Sequence, residues 1–504
     1  MRIGRSKHSP RAFSSGQVLW LVISSIVVLL AFAGLATDLG LLWNTRLRMQ
    51  SAADAAALAG ADALLEGATD YTTPAKSASA QNGFTNGSGT TGDSNNVTVT
   101  VANPPTTGAH TSDSNAVQVT ISQTQPTFFL KALGISSIAE TVSSVATALS
   151  GQGCVYALDP SASQAFLTNS GTFSSSCGLM VDSNNSSAFN VNSGGSVTAN
   201  AIGVVGGILD HGTVSPTPVT GIAAFSDPLV SLPTPSAPTA NNTCNPVQPS
   251  QNFNSPGTYT LAHGCYSTLN FNSSGAIVNM NDGGNYVFPN GMSTQGTVNL
   301  NGSGNYYFGS TVNINSGTFN AGGTGSYYFN SGFNIDSGVT ATTGLAYFGG
   351  TVNFNGNGVW NLSGNGTYYF NSGLTDDAGG TIQSEIASGT ATNNTLYFNS
   401  GTITVNSSAI LNLSAPTSGT YAAILLFQSR SDSTAVNINA GSNVTLNGAM
   451  YFPDASITLN GGWANVYSFV IADKITINGG SFTINSNYSS LTNGSPIKRT
   501  TVVE

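Results

Sequence analysis

The stretch GTVNLNGSGNYYFGSTVNINSGTFNAGGTGSYYF, residues 296–329, decides the fold. Short segments such as TVNL, NYYF and TVNI alternate in polarity and are separated by Gly, Ser and Asn. Alternation with period two marks strands with one buried face. The aromatic segment recurs as GNYVF (284–288), GNYYF (304–308), GSYYF (325–329), GLAYF (344–348), GTYYF (366–370), NTLYF (394–398) and GAMYF (448–452). The first spacings are 20, 21, 19 and 22 residues. Between them lie TVNLN (297–301), TVNIN (311–315), TVNFN (351–355), TITVN (402–406), SITLN (456–460) and KITIN (474–478). Self-similarity at such a period is the sequence form of a solenoid, because one unit cannot bury its apolar face alone. The expected fold is mainly β, a right-handed parallel β-helix with about 20 residues per coil. Phe308, Phe329, Phe348 and Phe370 should stack in one internal column, with Val298, Val312 and Val352 in neighbouring columns. Asn residues at the turns can form ladders along the axis. At about 4.8 Å per coil, ten coils make a rod of roughly 50 Å.

Upstream, CVYALD (154–159), CGLMVD (177–182) and AIGVVG (201–206) fall 23 and 24 residues apart, as equivalent strands of adjacent coils would. Cys154 and Cys177 then sit about 4.8 Å apart, within reach of a disulfide. Cys244 and Cys265 are left as the second pair, pinning a Pro-rich loop (DPLVSLPTPSAP, 227–238) to the resuming coil near Tyr266. The alternative is free buried thiols. With no CxxC pair and only 4 His, zinc is a poor fit, and disulfides in an oxidising compartment fit better.

Composition agrees. Charged residues are 7% of the chain and Gly numbers 59, yet 24 Phe and 17 Tyr argue against disorder. The net charge is -9, and between Lys76 and Lys474 the only basic residues are Lys131 and Arg430. No basic groove can form there, which excludes nucleic acid as a partner.

The N-terminus differs. A basic tail (Arg2, Arg5, Lys7, Arg11) precedes an almost wholly apolar run from Val18 to Ala36. Nineteen residues at about 1.5 Å each span roughly 28 Å, close to the hydrocarbon thickness. The positive-inside rule puts the tail in the cytoplasm and the bulk of the chain outside. ATDLG makes a poor signal-peptidase site and helical character continues through Ala53, Ala57 and Leu64, so the helix reads as an uncleaved anchor from residue 17 to 66, stopping at Gly67. Asp38 is expected at the outer interface, hydrated, with an intramembrane partner contact as the alternative.

These residues resemble the N-terminal domain of TadG-like Flp (tight adherence) pilus assembly proteins. The resemblance rests on residues 16–64, about a tenth of the chain. There an apolar helix runs into Gly34, Asp38, Leu39 and Gly40, then Arg46 and Arg48, then the Ala-rich signature from Gln50 through Asp54 to Gly60. It implies a TadE/TadG-like membrane domain, other Flp pilus assembly proteins and inner-membrane lipid as partners, and a role in pilus assembly and surface adherence. Counted from Gly16, Leu21 stands where a prepilin would carry Glu, so an accessory component is expected rather than a polymerising subunit.

The expected organisation is a cytoplasmic tail (1–16), the long helix (17–66) and a small α+β connecting domain (67–150). First solenoid coils (151–208), a Pro-rich loop (209–250), Asn/Gly-rich coils (251–490) and a tail (491–504) follow. In the connecting domain VTVTV (97–101) and AVQVTI (116–121) read as strands. PTFFLKALGISSIAETVSSVATALS (126–150) reads as a short helix and a strand, which also resembles the family pattern.

No catalytic residues and no cofactor are assigned. Asp376 and Asp377, with Glu385 nearby, are the densest acidic site and could serve a glycan hydrolase, but read better as a solvated loop. Asp336, Asp432 and Asp454 read as turn residues, and His211 and His263 have no evident partners. A tethered adhesin or glycan-binding rod using exposed Tyr and Asn is the competing non-enzymatic reading, with a surface glycan as ligand.

Overall fold

The computed structural model describes residues 15–503, apart from 66–68, 88–95, 115, 151–152, 223, 385, 388–389, 407, 441–443, 463–464, 466 and 493. Residues 1–14 of the basic tail, the expected helix stop at Gly67 and the acidic Glu385 lie outside the described residues. The chain divides into two units, 1–149 with 498–504, and 150–497.

In the first unit, α1 (Ser15–Leu65) is one helix of 51 residues, about 77 Å long at 1.5 Å per residue. Its two halves face different surroundings. From Leu19 to Leu47 the large apolar side chains other than Leu42 are exposed, Trp20 at 76% and Leu29 at 67% among them. This part is long and apolar enough to cross a membrane. From Met49 onward a stripe of Ala52, Ala53, Ala56, Ala57 and Ala61 is buried, at the spacing that keeps one helix face inward. Ala lets the helix lie close to a sheet, and Gly60 brings it closer still. A Cβ there would stand 2.9 Å from Val117 Cγ1.

That sheet has four strands: β1 (Val97–Ala102), β2 (Ala116–Pro126), β3 (Ser137–Ser150) and, outermost, Lys498–Val502. β1 and β2 are antiparallel with Val99 opposite Ile121, and β2 and β3 with Val119 opposite Ser144. Val97, Val99, Val117, Val119, Ile121 and Val142 meet the Ala stripe. α2 (Thr72–Gln81) begins where Asp70 accepts the N–H groups of Thr72 and Thr73 at 3.0 Å, and adds Ala75 to the same core. The β2–β3 connection carries a 3-10 turn, Leu130–Leu133, ended by Gly134 at φ +89°. The strand of residues 498–502, which the sequence reading leaves in a tail, lies beside β3, with Val503 N–H donating to Val145 O. The whole second unit is thus a chain insertion between two neighbouring strands of the first.

The second unit is a β-solenoid of about 14 turns with coils of about 22 residues, a little longer than the spacing of the aromatic segments suggests. Each coil contributes three strands, and each strand pairs in parallel with its equivalent one coil on: Tyr306 with Tyr286 and Tyr327, Val312 with Met292 and Phe333, Val298 with Val278 and Phe319. The expected column is present. Phe308, Phe329, Phe348 and Phe370 are buried and stack at 5.1–5.3 Å between ring centres, continuing to Phe288 and Phe398. Val312 and Val352 share the next column through Phe333. Outward-facing Asn side chains form amide ladders, Asn279–Asn299–Asn320 at 2.8 and 2.7 Å and Asn313–Asn334–Asn353 at 2.7 and 2.9 Å. Each amide donates to one coil and accepts from the other, so polar groups between coils are satisfied.

The order of coils in space is not their order in sequence. The first coil (153–175) lies between the coil of 178–198 and the last one, 468–484: Val155 pairs with Leu179 on one side and Val470 on the other. The coils of 153–220 therefore cap the stack formed by 251–484. To reach its start at Gln251, the chain from residue 221 to 250 returns along the outside of the stack as a strap.

Candidate functional site

On α1 the side chain that stands out is Asp38. It is 2% exposed, and its carboxylate accepts three successive backbone N–H groups from the β2–β3 connection. Those of Phe128 (3.1 Å), Phe129 (2.9 Å) and Leu130 (2.7 Å) open the 3-10 turn and lack partners within it. The hydration expected from the sequence is corrected, because the carboxylate is sequestered as a clamp on backbone N–H groups. One helical turn away, Gly34 provides the space for Phe129, whose ring would stand 2.6 Å from a Cβ at that position.

Other signature positions lie along the same helix. Gln50 Nε2 donates to Asp54 Oδ1 at 2.9 Å and reaches Ser143 O of β3 at 3.3 Å. Gln125 Nε2 donates to Thr45 Oγ1. Gly60 sits against Val117, whereas Gly40 faces open space and nothing in the structure explains it. Arg46 and Glu140 approach to 3.9 Å, with Arg46 largely exposed, a contact worth little in water.

On the solenoid, the strap creates a second feature. Tyr328, Tyr347 and Tyr369 point outward from successive coils, with ring centres 6.4 and 5.4 Å apart. Pro235, Ser236 and Pro238 face them across a groove of about 460 Å³. The strap is tied down along its length. Cys244 is bonded to Cys265, as Cys154 is to Cys177, with Cα separations of 5.3 and 5.8 Å. Asn305 Nδ2 donates to Asn241 O and the Tyr328 hydroxyl to Thr239 O. Arg430 donates to Leu229 O and Leu232 O at 2.8 and 2.9 Å and to the Tyr451 hydroxyl, which donates to Asp227. Burial, and after it Asp227, pushes the Tyr451 phenol well above its ordinary value. The sequence signal for this latch was the isolation of Arg430 in a stretch almost free of bases.

Of the acidic candidates, the two described, Asp376 and Asp377, point apart. Asp376 is buried and its Oδ1 accepts the N–H groups of Ala378, Gly379 and Gly380, closing a turn, while Asp377 points to solvent. His263, read from the sequence as unpartnered, is paired: its backbone N–H and ring Nδ1 lie 3.0 and 3.1 Å from Asp282 Oδ2, one coil on. Asp336 accepts the Asn355 amide at 2.8 Å as part of a ladder. Among the described residues no group of three or more His, Cys, Asp or Glu side chains is gathered as for a metal.

Compared with known families, residues 16–63 match the Flp pilus-assembly TadE/G-like model, and residues 53–148 match the Tad-like Flp pilus-assembly model. The two matches together cover α1 and the first three strands of the sheet it packs on, leave the strand of 498–502 outside, and stop where the solenoid begins. No curated protein and no solved structure matches the chain.

Proposed function

We propose, from the premise that residues 16–148 are the Tad-type pilus-assembly region of this chain, that the protein is a membrane-anchored, non-polymerising accessory of Flp pilus assembly. In this reading α1 crosses the bacterial inner membrane once with its N-terminus in the cytoplasm, and both units lie outside. The solenoid is a non-enzymatic rod that works in pilus biogenesis and surface adherence beside other Flp assembly proteins. The observation that carries the reading is topological. In sequence the solenoid lies between β3, the last matched strand, and the strand of 498–502, which is beyond the match and completes the same sheet, so the chain leaves for the solenoid from one strand and returns to its neighbour. Gly34, Asp38, Gln50 and Gly60 serve as joints between the helix and that domain, with Asp54 holding the Gln50 amide. Leu21 in place of Glu supports an anchor that is not processed as a pilin.

The test is a clean deletion with piliation scored by electron microscopy. Loss of pili, restored by the full chain but not by a chain in which a short linker replaces residues 151–497 and the strand of 498–502 is kept, is expected. Normal pili in the deletion strain would remove the proposal.

The Tyr328–Tyr347–Tyr369 groove favours a second reading, a glycan-binding rod, because a row of phenols facing Pro235, Ser236 and Pro238 suits the apolar faces of sugars. It predicts normal pili but lost attachment in Tyr347→Ala. Unchanged attachment would remove it.

A further inference from the structure

The β2–β3 connection carries a group of exposed apolar side chains that neither unit's core uses. Phe128 is 68% exposed, Phe129 53%, Leu133 78% and Ile135 45%. In a water-facing hairpin tip such a cluster is costly, and contiguous exposed apolar surface marks a contact. The tip is also fixed in place. Asp38 holds the backbone of Phe128, Phe129 and Leu130, and Gly34 admits the Phe129 ring against the helix.

The position of that clamp along α1 identifies what covers the cluster. An apolar groove of about 640 Å³ runs between the connection and the helix, lined by Val28, Phe32, Leu35, Phe129, Leu130 and Leu133. Val28 is ten residues before Asp38, so the groove follows the apolar run for about 15 Å. One wall of the groove therefore belongs to the segment whose outer surface is suited to hydrocarbon. The tip's exposed apolar side chains adjoin that surface. Residues 127–137 contain no acidic side chain and one base, Lys131, which is exposed and suited to lipid phosphate. Trp20 and Trp43, both largely exposed, bracket the run about 35 Å apart, the separation of the two aromatic belts of a bilayer.

We propose that the Phe128–Ile135 connection is a second membrane contact. It inserts into the leaflet at the Asp38 end of the span and takes a lipid acyl chain into the groove beside α1. The contact would fix the depth of α1 and the tilt of the sheet it carries, which a single span alone leaves free. The inference rests on the reading that α1 crosses a membrane.

The experiment uses the full chain in phosphatidylcholine/phosphatidylglycerol vesicles. Phe128→Trp is made in a background with Trp20, Trp43 and Trp463 changed to Phe. Trp360, fully buried in the solenoid, gives a constant emission that is measured in the same triple-Phe background before Phe128→Trp is added, and subtracted. A sister variant keeps Trp20 as the reporter of the span. Residue 128 is expected to lose about half its emission to lipids brominated near the glycerol end, and to be screened from acrylamide, as for a ring at the headgroup–acyl boundary. Quenching by acrylamide but not by bromolipid would place the tip in water and overturn the proposal. Screening from both would mean that protein, a second copy or another chain, covers the cluster, and would overturn it equally. Bromolipid quenching of Trp20 but not of residue 128 would remove this inference alone, whereas quenching of neither would remove the spanning reading as well.

Discussion

Val155 lies in register beside Val470, joining the first coil of the solenoid to the last across more than three hundred residues. The pairing is parallel and continues from Tyr156 with Ile471 to Phe173 with Phe482. It places both termini of the second unit within one pair of coils, which is what an insertion between adjacent strands of another sheet requires.

A cut in the strap should not part the solenoid. A protease site placed between Pro238 and Asn242 separates the coils of 153–220 from those of 251–484, and neither disulfide bridges the cut. After cleavage, also with residues 498–504 removed, the fragments should co-elute in native size exclusion and separate only in denaturant. Separation under native conditions would contradict the Val155–Val470 ladder.

How much of this was legible depended on how far apart in sequence the cause lay. The Phe308–Phe329–Phe348 column was legible because each coil repeats the same local alternation, and a strand that buries every second residue must stack like on like. The Cys154–Cys177 pair followed from the same equivalence. The position of the first coil beyond the last was not legible, since parallel pairing leaves no local mark and Val155 could sit beside any apolar strand. Asp38 misled for a related reason. A lone carboxylate after an apolar run reads as hydrated, and the three N–H groups it caps come from ninety residues later. The His263–Asp282 pair was hidden because 19 residues separate its members, although that is one coil.

Asp38→Ala should loosen the hairpin tip before anything else. The N–H groups of Phe128, Phe129 and Leu130 lose their acceptor, and Asn, which is neutral and has a single carbonyl oxygen, restores only part of it. Hydrogen exchange of residues 127–135 should be fastest in Asp38→Ala, intermediate in Asp38→Asn and slowest in the parent, with β1 protection unchanged. Equal protection in all three would show that the clamp does not order the tip.

Phe329→Ala should weaken the stack locally. The ring is fully buried, 5.3 Å from Phe308 and 5.1 Å from Phe348, and its loss should cost about 3–5 kcal/mol. Because a coil touches only its neighbours, faster exchange should centre on Phe308, Phe329 and Phe348 and leave the coil of 178–198 protected. A change spread evenly over the whole solenoid would indicate a single cooperative unit instead.

Asp282 gives the solenoid an acid-sensitive link. Partial burial works to raise its carboxyl, but the backbone and ring donors of His263 and the Gly284 N–H outweigh this and hold it at about 2, below the ordinary 3.8. A carboxyl depressed in the folded state contributes stability that is complete above its unfolded value and is lost as pH falls through the folded one. The window is therefore about pH 4 down to about pH 2. In Asp282→Asn the melting temperature should be lower at neutral pH and fall less steeply through that window than in the parent. The two curves should converge only below about pH 2, where the parent's carboxyl is neutral as well. Parallel curves with a constant gap would assign the Asp282 effect to packing rather than to charge.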